Sequence, residues 1–248
     1  ITQSVREDVK KALQSWDDKQ EPECFVHAYC QQMKTNPLLS YDNLINVCSD
    51  LFLAGMETTA TTLRWGSLIL AKHSDIQEKI RNEILSVVDK NEKPSMSLKQ
   101  RLPYTNAAVL ELQRFANIVA VNAAHRTMRD TSVGSVPIPA DTLVFGQISN
   151  VMAHSPVFKN PEKFQPERFL MSDGATPNKE VIEQFCPFSI GKRICVGEGM
   201  AKMELFIGLI TILQNFKIEP VEGHEINLEP TLATVMLPKP QRLRLTPI

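Results

Sequence analysis

The sequence has no apolar stretch long enough to cross a bilayer. Its longest, "LFIGLITIL" at 205–213, falls short of the roughly 20 residues a spanning helix needs. No basic, apolar and small-residue succession at the start marks a signal peptide. Neither sign of charge dominates: 27 basic residues face 28 acidic ones, for a net charge of −1. With no basic run interleaved with aromatics either, nucleic acid is not an expected partner. Cysteine is scarce. Cys24, Cys30, Cys48, Cys186 and Cys195 are odd in number and irregularly spaced, a poor disulfide framework that favours a reducing compartment. Internal repeats and low-complexity tracts are absent. The chain opens on Ile1, not Met, inside a polar helical pattern, and so reads as the middle of something longer.

What is present is an ordinary globular balance, 43% hydrophobic and 22% charged over 248 residues, enough for one large domain or two small ones. Residues 1–34 read as polar and helical, broken at "KTNP" (34–37). A long helix is expected over 40–73, with Ser40 or Asp42 at its cap. Another follows over 74–90, capped by Ser74 and apolar at Ile76, Ile80, Ile84 and Val87. Residues 91–103 read as loop or a short turn and 104–116 as helix. Beyond 131 the texture changes: a small hairpin and a helix within 131–154, a Pro-rich meander over 155–179, a helix over about 195–215, and short strands within 217–245. The fold class is mainly α with small β-sheets.

The segment "FCPFSIGKRICVGEGMAKMELF" (185–206) sets a cysteine between Arg193 and Gly197, in front of an apolar helical run. It fits F-x-x-G-x-R-x-C-x-G through Phe188, Gly191, Arg193, Cys195 and Gly197. A cysteine at a helix N-terminus has its thiolate stabilised by unsatisfied N–H groups and the positive dipole end, which suits a metal ligand. Glycines at 191 and 197 permit a tight turn and close approach to a flat macrocycle. Five fixed positions in ten make a buried structural cysteine the poorer account.

This segment resembles the haem-binding loop of the cytochrome P-450 family. Other marks follow in that family's order: "AGMETT" (54–59), similar to its oxygen-activating stretch, then "ELQR" (111–114) and "PERF" (166–169). "PYTNAAVLELQRF" and "NPEKFQPERF" are most similar to the microsomal family-two-like enzymes of animals. The resemblance covers nearly all of the chain, as the C-terminal part of a single domain whose N-terminal half and membrane anchor lie upstream. Neither Trp16 nor Trp65, followed four residues on by Gln20 and Ile69, supplies the family's W-x-x-x-R pair.

The resemblance implies haem b (iron protoporphyrin IX), with Cys195 as axial ligand, Arg193 forked onto a propionate and Phe188 packed near the sulfur. Glu57 and Thr58 become a proton relay beside the small residues Ala54 and Gly55, although without the cysteine loop they read better as a helix kink with a solvated carboxylate and a threonine bonded back to a carbonyl. Glu111 and Arg114, three apart on a helix, can pair; Arg168 completes a buried Glu-Arg-Arg arrangement of structural purpose. His125 is placed near a propionate, with Ala124 where the family usually has proline. Ile118–Val121 and Leu232–Met236 match pocket-lining stretches, and would serve as well in a core. Lys192 and Lys202 could meet an acidic redox partner, or be ordinary surface lysines. Cys24, His27 and Cys30 sweep around one helix with no nearby fourth ligand, so a zinc reading is set aside.

The implied enzyme is a monooxygenase that inserts one oxygen atom from dioxygen into an apolar small molecule. It would draw electrons from an NADPH-dependent cytochrome reductase, with cytochrome b5 as a further partner, on the cytoplasmic face of the endoplasmic reticulum membrane. The competing expectation is a truncated, inactive haem-binding or interaction remnant.

Overall fold

The computed structural model describes residues 2–17, 19–89 and 92–248. Ile1, Asp18, Lys90 and Asn91, which fall inside the helical readings of 1–34 and 74–90 and the loop reading of 91–103, lie outside the described residues. The chain divides into two compact units, 1–57 and 58–248.

The first unit contains α1 (Thr2–Gln14), α2 (Phe25–Met33) and the opening turns of α3 (Tyr41–Lys72). Val5 and Val9, four apart on α1, bury one stripe with Cys30, Leu44 and Ile45. His27 is buried and its Nε2 donates to the Ala12 carbonyl at 2.8 Å, tying α2 to α1. Ser40 caps α3 as expected, its Oγ accepting the Asn43 N–H at 3.2 Å.

The second unit holds the remainder of α3 with α4 (Ser74–Val87), α5 (Pro103–Ala116), α6 (Ile148–His154), α7 (Lys179–Gln184) and α8 (Glu198–Asn215). Its core joins Trp65 and Ile69 of α3, Ile80 and Ile84 of α4, Leu112 of α5 and Phe206, Ile210 and Leu213 of α8. Two glycines set how closely the helices approach. A Cβ on Gly66 would lie 2.9 Å from Leu112 Cδ2, and one on Gly208 would lie 3.3 Å from Leu63 Cδ1. Helix α3 therefore packs α5 on one side and α8 on the other.

Among the described residues, four two-stranded antiparallel sheets accompany the helices. Strands β1 (His125–Arg126) and β4 (Leu143–Val144) pair, as do β2 (Thr131–Val133) and β3 (Val136–Ile138). Likewise β5 (Phe216–Pro220) pairs β8 (Leu243–Pro247), and β6 (Pro230–Leu232) pairs β7 (Met236–Pro238). The hairpin read within 131–154 is β2–β3; β4 leaves it to join β1. The Asn122 N–H extends that β1–β4 ladder by donating to the Gly146 carbonyl at 2.9 Å.

Two helix starts differ from the sequence reading. Helix α4 is preceded by His73 as cap residue, which makes no side-chain cap bond, and Ser74 is its first helical residue. Helix α8 begins at Glu198 behind Gly197, so Cys195 stands two residues ahead of the cap and not in the first turn. The reason is local: the chain is still turning at 191–193, a 3₁₀ turn, and the Cys195 N–H is committed backwards. The short turn allowed for within 91–103 is the 3₁₀ turn at Met96–Gln100, whereas helix α7 was not separable from loop by composition.

Candidate functional site

The loop 185–197 is a compact double turn. Ser189 (φ 65°) and Gly191 (φ 77°) both take left-handed backbone, the first at a cost that non-glycine residues seldom bear. The Cys195 N–H donates to the Phe188 carbonyl at 3.0 Å, and the Ile194 N–H to the Gly191 carbonyl at 3.1 Å. Phe188 and Cys195 are thereby held opposite each other across the turn.

Of the loop's two thiols, Cys186 packs against the core and burial pushes its pKa up, which disfavours the anionic form a metal needs. Cys195 is exposed. Around it Ile190, Ile194, Val196 and Met200 present apolar side chains to the surface. A Cβ on Gly191 would meet nothing within 4 Å, and one on Gly197 would lie 3.9 Å from Cys195 Sγ. Arg193 has no ion pair or side-chain hydrogen bond among the described residues. An open thiol, an apolar surround, clear space over the turn and an uncommitted guanidinium together suit a flat, apolar, anionic-edged group such as haem. Lys202 is committed differently: it pairs with Glu198 and lies 5.6 Å from the Phe188 ring centroid, bracing the loop against α8.

Behind the loop, α5 carries a buried ion cluster. Glu111 Oε2 accepts from Arg114 Nε at 2.7 Å and Oε1 from Arg114 Nη2 at 2.9 Å. Arg168 Nε lies 3.0 Å from the same Oε2, off the line of a good hydrogen bond. The two guanidinium groups also fasten backbone carbonyls: Arg114 takes Met152 and Pro161, and Arg168 takes Lys159 and Lys163. The Gln165 N–H closes the set on Glu111 Oε1 at 2.8 Å. The cluster thus pins residues 159–168 to α5. From there Phe169 meets Phe185, the first residue of the cysteine loop, edge to face with centroids 5.3 Å apart. Ion cluster, aromatic contact and loop form one continuous support.

Helix α8 connects the loop to α3. Thr59 Oγ1 donates to Glu204 at 3.1 Å, one residue past Thr58 on α3 and about 9 Å of helix beyond the start of α8. Sequence reasoning passed over Thr59 and Glu204; the signal was a carboxylate with no basic residue three or four positions further along its helix. Thr58 is half-buried, and its carbonyl accepts the Thr62 hydroxyl at 2.8 Å. Glu57 is exposed and ends the first unit. His125 lies half-buried in β1, opposite Val144. The two apolar stretches 118–121 and 232–236 meet: the Met236 N–H donates to the Ile118 carbonyl at 2.7 Å, and Trp65 Nε1 donates to the Met236 carbonyl at 2.8 Å. Leu232 and Val121 remain exposed.

A profile of the family described as Cytochrome P450 matches residues 1–245. The chain belongs to the cytochrome P450 family. It is similar to cytochrome P450 2H1 of Gallus gallus, 37% identical over 254 residues covering 99% of this chain and 51% of that protein. Cytochrome P450 2C44 of Mus musculus is 40% identical over 250 residues, covering 98% of this chain and 50% of that protein. Cytochrome P450 2C8 of Homo sapiens is 37% identical over 252 residues, again covering 98% and 50%. The chain thus spans about half the length of these P450 relatives. No helix among the described residues is long and apolar enough to cross a membrane.

Proposed function

We propose that, in the intact protein, this chain is the C-terminal part of a single P450 domain and forms the thiolate side of a haem-dependent monooxygenase. The observation that carries the reading is the exposed Cys195, presented on a strained turn beside Arg193, which is unpaired among the described residues, and backed by the buried Glu111–Arg114–Arg168 cluster.

In this reading Cys195 Sγ would be the anionic donor that holds haem b, and Arg193 and His125 would hold its propionates. Phe188, held opposite Cys195 by the Phe188 carbonyl bond, keeps water from the sulfur. When bound, haem would supply the oxygen chemistry, by which one atom of dioxygen enters an apolar substrate and the other leaves as water. Thr58 Oγ1 holds and passes a proton towards that site, and Glu57, the preceding residue of α3, replenishes it. Residues 118–121 and 232–236 contribute an apolar wall for the substrate. Electrons come from an NADPH-dependent cytochrome reductase, with cytochrome b5 as a second donor, at the cytoplasmic face of the endoplasmic reticulum membrane. Lys192, exposed on the loop, offers the basic contact.

The test is the carbon-monoxide difference spectrum of the reduced full-length protein. The wild type should give the thiolate-type band and Cys195→Ala should lose it, because Cys186 is packed away and no other cysteine belongs to the second unit. An unchanged band in the Ala variant would sink the assignment.

A further inference from the structure

A cavity of about 330 Å³, lined by no residue of the cysteine loop, lies between the 3₁₀ turn at Met96–Gln100, the first turns of α5 and the segment 169–182. Its floor is apolar: Ala107 and Leu110 from α5, Phe169 and Ile182 from the opposite wall. Its polar groups are Lys99, Gln100 and Asn106. None of these three side chains has a hydrogen bond or ion pair among the described residues.

The start of α5 contributes no free donors, because the Tyr104 and Thr105 N–H groups are both taken by the Glu83 carboxylate, at 2.8 and 2.7 Å. Recognition at the rim therefore falls to one ammonium and two amides. The lone charge is positive and the floor is hydrocarbon, so the complementary ligand carries one carboxylate on a compact apolar body. At the volume share of liquid water, about 30 Å³ per molecule, the cavity holds about eleven non-hydrogen atoms. We infer that this cavity is a second small-molecule site that takes a medium-chain carboxylic acid, its carboxylate on Lys99 and Asn106 and its chain over Ala107, Leu110 and Phe169. The site has a mechanical consequence as well. Ile182 lies on α7 and Phe169 packs against Phe185, so an occupant presses on the two residues that lead into the cysteine loop.

The experiment photolabels the haem-loaded full-length protein with a diazirine-bearing octanoate, followed by peptide mapping. Adducts are expected within 96–110 and 169–182. Lys99→Glu reverses the rim charge and Ala175→Trp fills the mouth from an exposed position; each should reduce labelling at least tenfold. Lys99→Arg should retain it. Excess octanoate should compete at least tenfold better than octanol, which has the same chain without the charge. Circular dichroism, recorded in parallel, shows that the surface variants are folded, and labelling read by peptide mapping does not depend on the haem assignment. Adducts confined to other segments, labelling that either substitution leaves unchanged, or octanol competing as well as octanoate would overturn the assignment.

Discussion

Glu111 grips Arg114 through two parallel hydrogen bonds, Nε to Oε2 at 2.7 Å and Nη2 to Oε1 at 2.9 Å, with both side chains shut off from water. Arg168 approaches the same carboxylate from the segment 159–168. One negative charge thus compensates two buried positive ones. Removing it strands both, and breaking such a buried pair costs about 3–5 kcal/mol. Glu111→Ala is expected to destabilise the intact protein by about that much and to release residues 159–168. Thermal unfolding and hydrogen exchange at those amides are the measurements; exchange unchanged there would show that the cluster does not hold the segment.

Gly66 and Gly208 make a graded pair. Ala at either position gains about 0.5–1 kcal/mol of helix propensity. At Gly66 the new methyl would stand 2.9 Å from Leu112 Cδ2, so that side chain has to shift; at Gly208 the approach is 3.3 Å. Overpacking of that kind costs about 1–3 kcal/mol. Gly66→Ala should lower stability by about 1 kcal/mol net, whereas Gly208→Ala should stay within about 0.5 kcal/mol of wild type. Denaturant midpoints of the two variants, compared directly, decide the order.

Glu167 gives the stability an acid limb. Partial burial alone would raise its pKa, but hydrogen bonds from Lys79 and Tyr104 outweigh this and hold it below the ordinary 4.5. A carboxyl depressed in the folded state stabilises fully above its unfolded pKa and loses that contribution as pH falls through the lower folded value. Stability should therefore decline below about pH 4.5, and Glu167→Gln should flatten that part of the curve. An identical acid limb in the variant would assign the decline to other carboxylates.

Thr58→Ala in the full-length enzyme should uncouple reductant use from oxygenation. NADPH would still be consumed, with more reducing equivalents appearing as peroxide or water. Neighbouring Thr59 is a structural control, since its hydroxyl is engaged with Glu204. Thr59→Ala should weaken the α3–α8 contact and leave product per NADPH near the wild-type ratio. Equal ratios in the two Ala variants would mean that Thr58 is no more than a helix residue.

The cysteine turn, the helical pair Glu111–Arg114 and the apolar stripes of α3, α4 and α5 are legible in the residues because each is a short-range matter. A glycine at 191 answers a φ of 77°, and a three-residue spacing on a helix brings carboxylate and guanidinium together wherever the helix goes. What could not be read depends on partners far along the chain. Gln77 joins α4 to β5 by accepting the Ile218 N–H and donating to the Ile218 carbonyl, both at 2.8 Å across 141 positions. Glu83 caps α5 from α4 where Leu102 supplies no cap of its own. The two residues of β1 pair with β4 across the intervening hairpin β2–β3, and the Phe169–Phe185 contact carries the ion cluster's rigidity to the loop. These groups are polar or aromatic residues of no special local preference. Burial removes water as their alternative partner, and the packing of the helices then selects which distant group takes its place.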